Sequence, residues 1–144
     1  MTNEDVLSMV RRCKLNNGKE LIPNKAYLFN RKFWHRIQGK VLPYREYDEI
    51  IVLVKNGIKV GGIYRMGSYD IHVVMKKKYE GQGILSDFLK TGILNEIWPE
   101  NKSVELCGVY TREEYEKKKH LANLCHMEIK NADEIESYLS CFKD

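Results

Sequence analysis

At 144 residues, with 43% hydrophobic and 31% charged, the chain has the make-up of one soluble globular domain, 1–144, long enough to bury a normal core. No apolar run approaches a membrane span, and the acidic start Met1-Thr2-Asn3-Glu4-Asp5 is unlike a signal peptide, so a cytoplasmic protein with no membrane partner is expected. A formal charge of +4 suits an anionic cofactor or a nucleic-acid contact without choosing between them.

Thr2 and Asp5 have the spacing of a capping box. Val6, Met9, Val10 and Cys13 follow at helical intervals, which predicts a helix over 3–14 that stops near Asn16-Asn17-Gly18. Residues 19–23 carry a weak signal for a short strand. Between Lys25 and Gln38, Phe29, Phe33 and Ile37 stand four apart and predict an amphipathic helix, with Arg31, Lys32, His35 and Arg36 mostly on other faces and Gly39 as its stop. Aromatic and basic residues mixed in this way also make RNA-binding surfaces, but a core face with a solvated basic back accounts for them more simply.

Residues 48–55 are apolar and β-branched, and Asn56-Gly57 is the strongest hairpin signal in the chain. A return strand over 58–66, a second tight turn at Gly67-Ser68 and a third antiparallel strand over 69–75 complete a meander. A helix over 83–97 follows, with Ile84, Leu85, Phe88, Leu89, Ile93, Leu94 and Ile97 spread widely enough to imply burial against a sheet. Gly92 suggests a close approach within it, and Trp98-Pro99 ends it. The next strand, 103–110, is expected to lie parallel to 69–75, because a helix crosses over between them. Thr111 and Glu114 form another capping box for a helix over 112–124, followed by a short strand at 127–130 and a last helix over 132–141 begun by Asn131. The expected class is α/β of the mixed α+β kind, with a central, mostly antiparallel sheet flanked by helices.

The stretch from Val73 to Leu89 organises the rest. It reads as a strand, a basic turn with two glycines, and the opening of an apolar helix. Free N–H groups at a helix start, glycines that permit close approach and the run Lys76-Lys77-Lys78 together make a place for a phosphate. Tyr79-Glu80-Gly81-Gln82-Gly83-Ile84, with Ser86 and Leu89, resembles the Tyr-x-Gly-x-Gly-Ile-x-Ser-x-x-Leu form of the acetyl-CoA-binding motif of the GNAT acyltransferase superfamily. Against the defining pattern Gln/Arg-x-x-Gly-x-Gly/Ala, Gly83 matches, while Glu80 and Leu85 depart. The resemblance is clearest over 45–130; an N-terminal helix in place of the family's first strand lies outside it.

That resemblance implies a GNAT-like fold and acetyl-CoA as co-substrate, with no metal. Main-chain groups of Val73, Val74 and Met75 would pair with the pantetheine amides, and those of Gly81, Gln82, Gly83, Ile84, Leu85 and Ser86 would cradle the pyrophosphate. The acceptor would be a primary amine on a small molecule, a protein or an aminoacyl-tRNA. Acetyl transfer then needs an acid for the departing thiolate and a base for the amine proton. The family's usual tyrosine falls at Leu121 or Ala122 and is missing, which leaves Tyr115 and His120 as candidate acids, with Tyr110 nearby. Candidate bases are Asp70 and His72, which period two places on one strand face, and Glu105 on the next strand. The resemblance also allows a homodimer paired through the C-terminal edge.

Two other classes stand beside this one. A GNAT-like module could bind CoA or a partner without catalysis, as the missing tyrosine and the departures at Glu80 and Leu85 suggest. A nucleic-acid-binding protein using 25–40 and the lysine run is less favoured, since a lysine run is more often a solvated turn. Cys13, Cys107, Cys125 and Cys141 are scattered with no Cys-x-x-Cys spacing, so reduced thiols are expected and a zinc site is not.

Overall fold

A computed structural model describes residues 2–30, 48–66 and 70–142, with only the main chain of Asp70. It is a mixed α and β protein whose chain divides into two compact units, Met1–Leu85 and Ser86–Asp144.

The first unit opens with helix α1, Asn3–Arg12. Its capping box is formed in full: Asp5 N–H donates to the Thr2 hydroxyl at 3.2 Å, and Thr2 N–H donates to the Asp5 carboxylate at 2.9 Å. Each bond satisfies a main-chain donor at the helix start that would otherwise lack a partner. Five strands follow: β1 (Lys19–Ile22), β2 (Ala26–Asn30), β3 (Glu49–Lys55), β4 (Ile58–Met66) and β5 (Asp70–Met75). They form one antiparallel sheet in chain order, so every strand pairs with its sequence neighbour. At the β3–β4 hairpin Asn56 and Gly57 both take positive φ, 52° and 78°, as the twist of a two-residue turn demands.

Alternation decides which side chains meet α1. Ile50, Val52 and Val54 of β3, with Phe29, Tyr64 and Val74, pack against Val6, Met9, Val10 and Cys13. Ile51 and Leu53 on the opposite face of β3 are buried as well, so this central strand reads as a continuous apolar run. Fully burying each such side chain contributes about 1.5–3 kcal/mol. Polar contacts also tie this sheet: the Tyr64 hydroxyl donates to Oδ2 of Asp48, just before β3, at 2.6 Å, and Arg65 pairs with Glu49, its direct cross-strand neighbour.

One prediction for this unit is overturned. Residues 26–30, expected to open a helix over 25–38, form strand β2, with Ala26 opposite Leu53 and Asn30 opposite Glu49. A ladder along β3 satisfies these backbone groups at once, and it outweighs the weak helical spacing of a short apolar run. Pro23-Asn24 turns the chain into β2, with Asn24 left-handed at φ 57° and Lys25 N–H donating to Ile22 O at 3.0 Å. Phe33 and Ile37, the four basic residues among them, Gly39, and the Gly67-Ser68 turn lie outside the described residues.

Helix α2, Ile84–Lys90, links to the second unit, which contains α3 (Ile93–Ile97), β6 (Ser103–Val104), α4 (Arg112–Leu124), β7 (Glu128–Ile129) and α5 (Ala132–Ser140). The single helix expected over 83–97 is therefore two. Gly92 separates them at φ 75°. A Cβ there would meet nothing within 4 Å, so this glycine serves a helix end and not a close approach.

The strand expected over 103–110 shrinks to Ser103–Val104, and it pairs in parallel with β7, not with 70–75. Beyond Val104 the backbone is claimed by side chains. Asn131 both accepts from Leu106 N–H at 3.0 Å and donates to Leu106 O at 2.9 Å, and Lys118 donates to Cys107 O at 2.6 Å. Asn131 thus clamps a loop and leaves the start of α5 without a side-chain cap. At α4 the Thr111 hydroxyl accepts from Glu114 N–H as predicted, but the Glu114 carboxylate turns to Tyr110 N–H at 3.0 Å, so the second capping box is only half formed. Tyr115, Ile135 and Leu139 make this unit's apolar centre, with Leu106, Val109 and Ile129 around them.

Candidate functional site

Strand β5 ends the five-stranded sheet. Its inner edge pairs with β4 from Met66↔Asp70 to Gly61↔Met75, and among the described residues no strand pairs with its outer edge. Val74 is buried, while Val73 and Met75 are half-buried. The last rung is Lys76 N–H to Val60 O at 2.8 Å.

The chain then turns over Lys77–Tyr79, closed by Tyr79 N–H to Lys76 O at 2.8 Å and Glu80 N–H to Lys77 O at 3.3 Å. Gly81 and Gly83 follow with φ of 73° and 77°, one on each side of Gln82. Both conformations are costly for any residue with a Cβ, and at Gly81 a Cβ would meet open space, so backbone geometry and not crowding selects glycine there. Among the described residues, the N–H groups of Gly81, Gln82 and Gly83 donate to no protein acceptor. Left-handed residues spaced in this way can turn successive N–H groups toward an anion.

The electrostatics favour one. Lys77 and Lys78 are exposed on the turn and Lys76 is half-buried before it. A fourth cation, Lys55, arrives from the far end of β3 and donates to Gln82 Oε1 at 2.9 Å. Sequence reasoning missed Lys55, although the signal was present: in an antiparallel meander the ends of the first and third strands lie at the same end of the sheet, which brings the β3–β4 hairpin beside the end of β5. The Glu80 side chain is exposed.

The candidate catalytic residues are divided between the units. Asp70 and His72 lie on β5 in the first; Glu105, Tyr115 and His120 belong to the second. His72 Nε2 is 2.7 Å from Asn3 Oδ1, which ties the ring to the start of α1. Glu105 is exposed in the loop after β6, outside the strand expected to carry it. Tyr115 is a core residue, 2% exposed, with the cationic groups of Arg112 and Lys119 at 5.8 and 5.7 Å from its ring centre. His120, on α4, and Tyr110, before it, are exposed.

Among the described residues no group of three or more His, Cys, Asp or Glu is placed to hold a metal ion, and no helix is long and apolar enough to cross a membrane. Comparison with protein-family models, with curated proteins and with solved structures finds no match to this chain.

Proposed function

We propose that the chain is an acetyl-CoA-dependent N-acetyltransferase with a GNAT-like arrangement, taking a primary amine as acceptor. The observation that carries this is the run from an edge strand into two left-handed glycines among four lysines. It fits the chemistry of acetyl-CoA. The outer edge of Val73–Met75 offers main-chain donors and acceptors to the two amides of the pantetheine arm, in the manner of an added strand. The N–H groups from Gly81 to Ser86 and the ammonium groups nearby suit the pyrophosphate.

Transfer then asks little covalent help of the protein. The amine nitrogen attacks the thioester carbonyl, a C–N bond forms, the C–S bond breaks, and the thiolate takes a proton while the amine loses one. Of the candidate acids His120 is exposed, whereas Tyr115 is committed to the core. Asp70, His72 and Glu105 are the candidate bases.

A second reading is a CoA-binding module that transfers nothing. The burial of Tyr115 and the bond between His72 and Asn3 favour it. Mass spectrometry of primary amines incubated with the protein and acetyl-CoA separates the two. Polyamines, lysine peptides and aminoacyl-tRNA cover the acceptor classes. A product heavier by one acetyl group, formed faster than without protein and slowed by His120→Ala, supports the transferase. CoA binding with no acetylated product in any class supports the module.

A further inference from the structure

The glycine turn is braced by a side chain anchored elsewhere in the sheet. Lys55 Nζ donates to Gln82 Oε1 at 2.9 Å across 27 positions of sequence, and Gln82 Nε2 donates to Lys78 O at 3.2 Å. Both ends of one amide are therefore used, and the residue they hold sits between Gly81 and Gly83, the most adaptable backbone in the segment. Among the described residues the Lys55 ammonium makes no other hydrogen bond or ion pair, and it carries three donors. The bond to Gln82 thus holds a cation at the turn while leaving donors for a ligand.

We propose that Lys55 and Gln82 are a positioning pair for the diphosphate of CoA: Gln82 fixes the turn so that the N–H groups from Gly81 to Gly83 converge, and Lys55 supplies a fixed counter-charge. This rests on the acetyltransferase reading of the same segment. Gln82 is a positioning residue acting through the backbone; Lys55 acts both through Gln82 and by its own charge. The two roles have different signatures. Losing the brace loosens the turn at any salt concentration, whereas losing the charge also removes a screened attraction.

The test uses the full chain, with CoA as the probe, titrated at low and at high salt into the wild type and into Gln82→Ala, Lys55→Met and Lys55→Arg. Both side chains are exposed, so the variants are expected to melt with the wild type. Gln82→Ala should weaken CoA about tenfold at both salt concentrations, an amount typical of one lost positioning hydrogen bond. Lys55→Met should weaken it at least as much and flatten the salt dependence, and Lys55→Arg should restore most of both. Backbone order parameters of the Gly81–Gly83 N–H groups in the unliganded protein should fall in Gln82→Ala and in Lys55→Met. Wild-type CoA affinity in both single variants, with unchanged order parameters, would overturn the pair and leave the cofactor site standing. A wild type that binds no CoA would overturn the pair and the cofactor site together.

Discussion

Two kinds of thiol share this chain, and burial alone separates them. Cys13 and Cys125 are buried, and desolvation of the thiolate pushes their pKa values up to about 12 and about 11; for Cys13 the nearby Lys59 offsets this in part. Cys107 and Cys141 are exposed. A thiol-reactive disulfide reagent at mildly alkaline pH should therefore modify two of the four cysteines quickly and the other two only after denaturation. Rapid labelling of all four in the native protein would contradict the burial of Cys13 and Cys125. Asp5 offers a second residue-scale prediction. The Thr2 N–H, and after it the Thr2 hydroxyl, hold its carboxyl below the ordinary value of 3.8. A depressed folded pKa means that the stabilisation is complete above the unfolded value and is lost as pH falls through the folded one. Asp5→Asn should lower stability at neutral pH and flatten the acid limb of the stability profile. An unchanged limb in chemical denaturation across that range would show that the capping box contributes nothing.

At the scale of elements, α1 is held at both ends by contacts that can be removed singly. Its C-terminal carbonyls meet Lys59 of β4, whose Nζ donates to Arg11 O at 2.8 Å and Cys13 O at 2.9 Å. Burial pulls the Lys59 pKa down and the nearby Lys76 adds to the pull, while Cys13 opposes it. Lys59→Met should cost about 1 kcal/mol through the lost charge–carbonyl contacts, read as a lower urea midpoint at unchanged slope, with Lys59→Arg costing less. No shift in midpoint would mean that water replaces the ammonium without loss. The elements legible in the sequence were those with a local cause: Thr2 and Asp5 for α1, Asn56-Gly57 for the β3–β4 hairpin, and Pro99 for the end of α3. Those misread depend on partners distant in sequence. Residues 26–30 became a strand because β3 offered an edge, and 105–110 did not because Asn131 and Lys118 took the carbonyls of Leu106 and Cys107. Pro23-Asn24 was a readable turn signal that would have moved the start of β2 to its place.

For the molecule as a whole, a modest net charge of +4 hides a local concentration of cations where Lys55 joins Lys76, Lys77 and Lys78 at the glycine turn. The turn itself was legible, because a strand running into a helix through two positions of positive φ asks for glycine at both. Lys55 was not, since its place there follows from sheet topology and not from any motif. The candidate acids and bases were least legible: single His, Tyr and Asp residues carry no local signature, and the burial of Tyr115 follows from the fold alone. The central claim is that this turn holds acetyl-CoA. Calorimetric titration of the protein with acetyl-CoA and with CoA, at moderate salt, tests it most directly. Micromolar binding of both is expected, strongly weakened in Gly83→Asp, where a carboxylate enters the anion site at a backbone φ of 77°. A folded protein that binds neither would contradict the claim and leave the strand, turn and helix as scaffold.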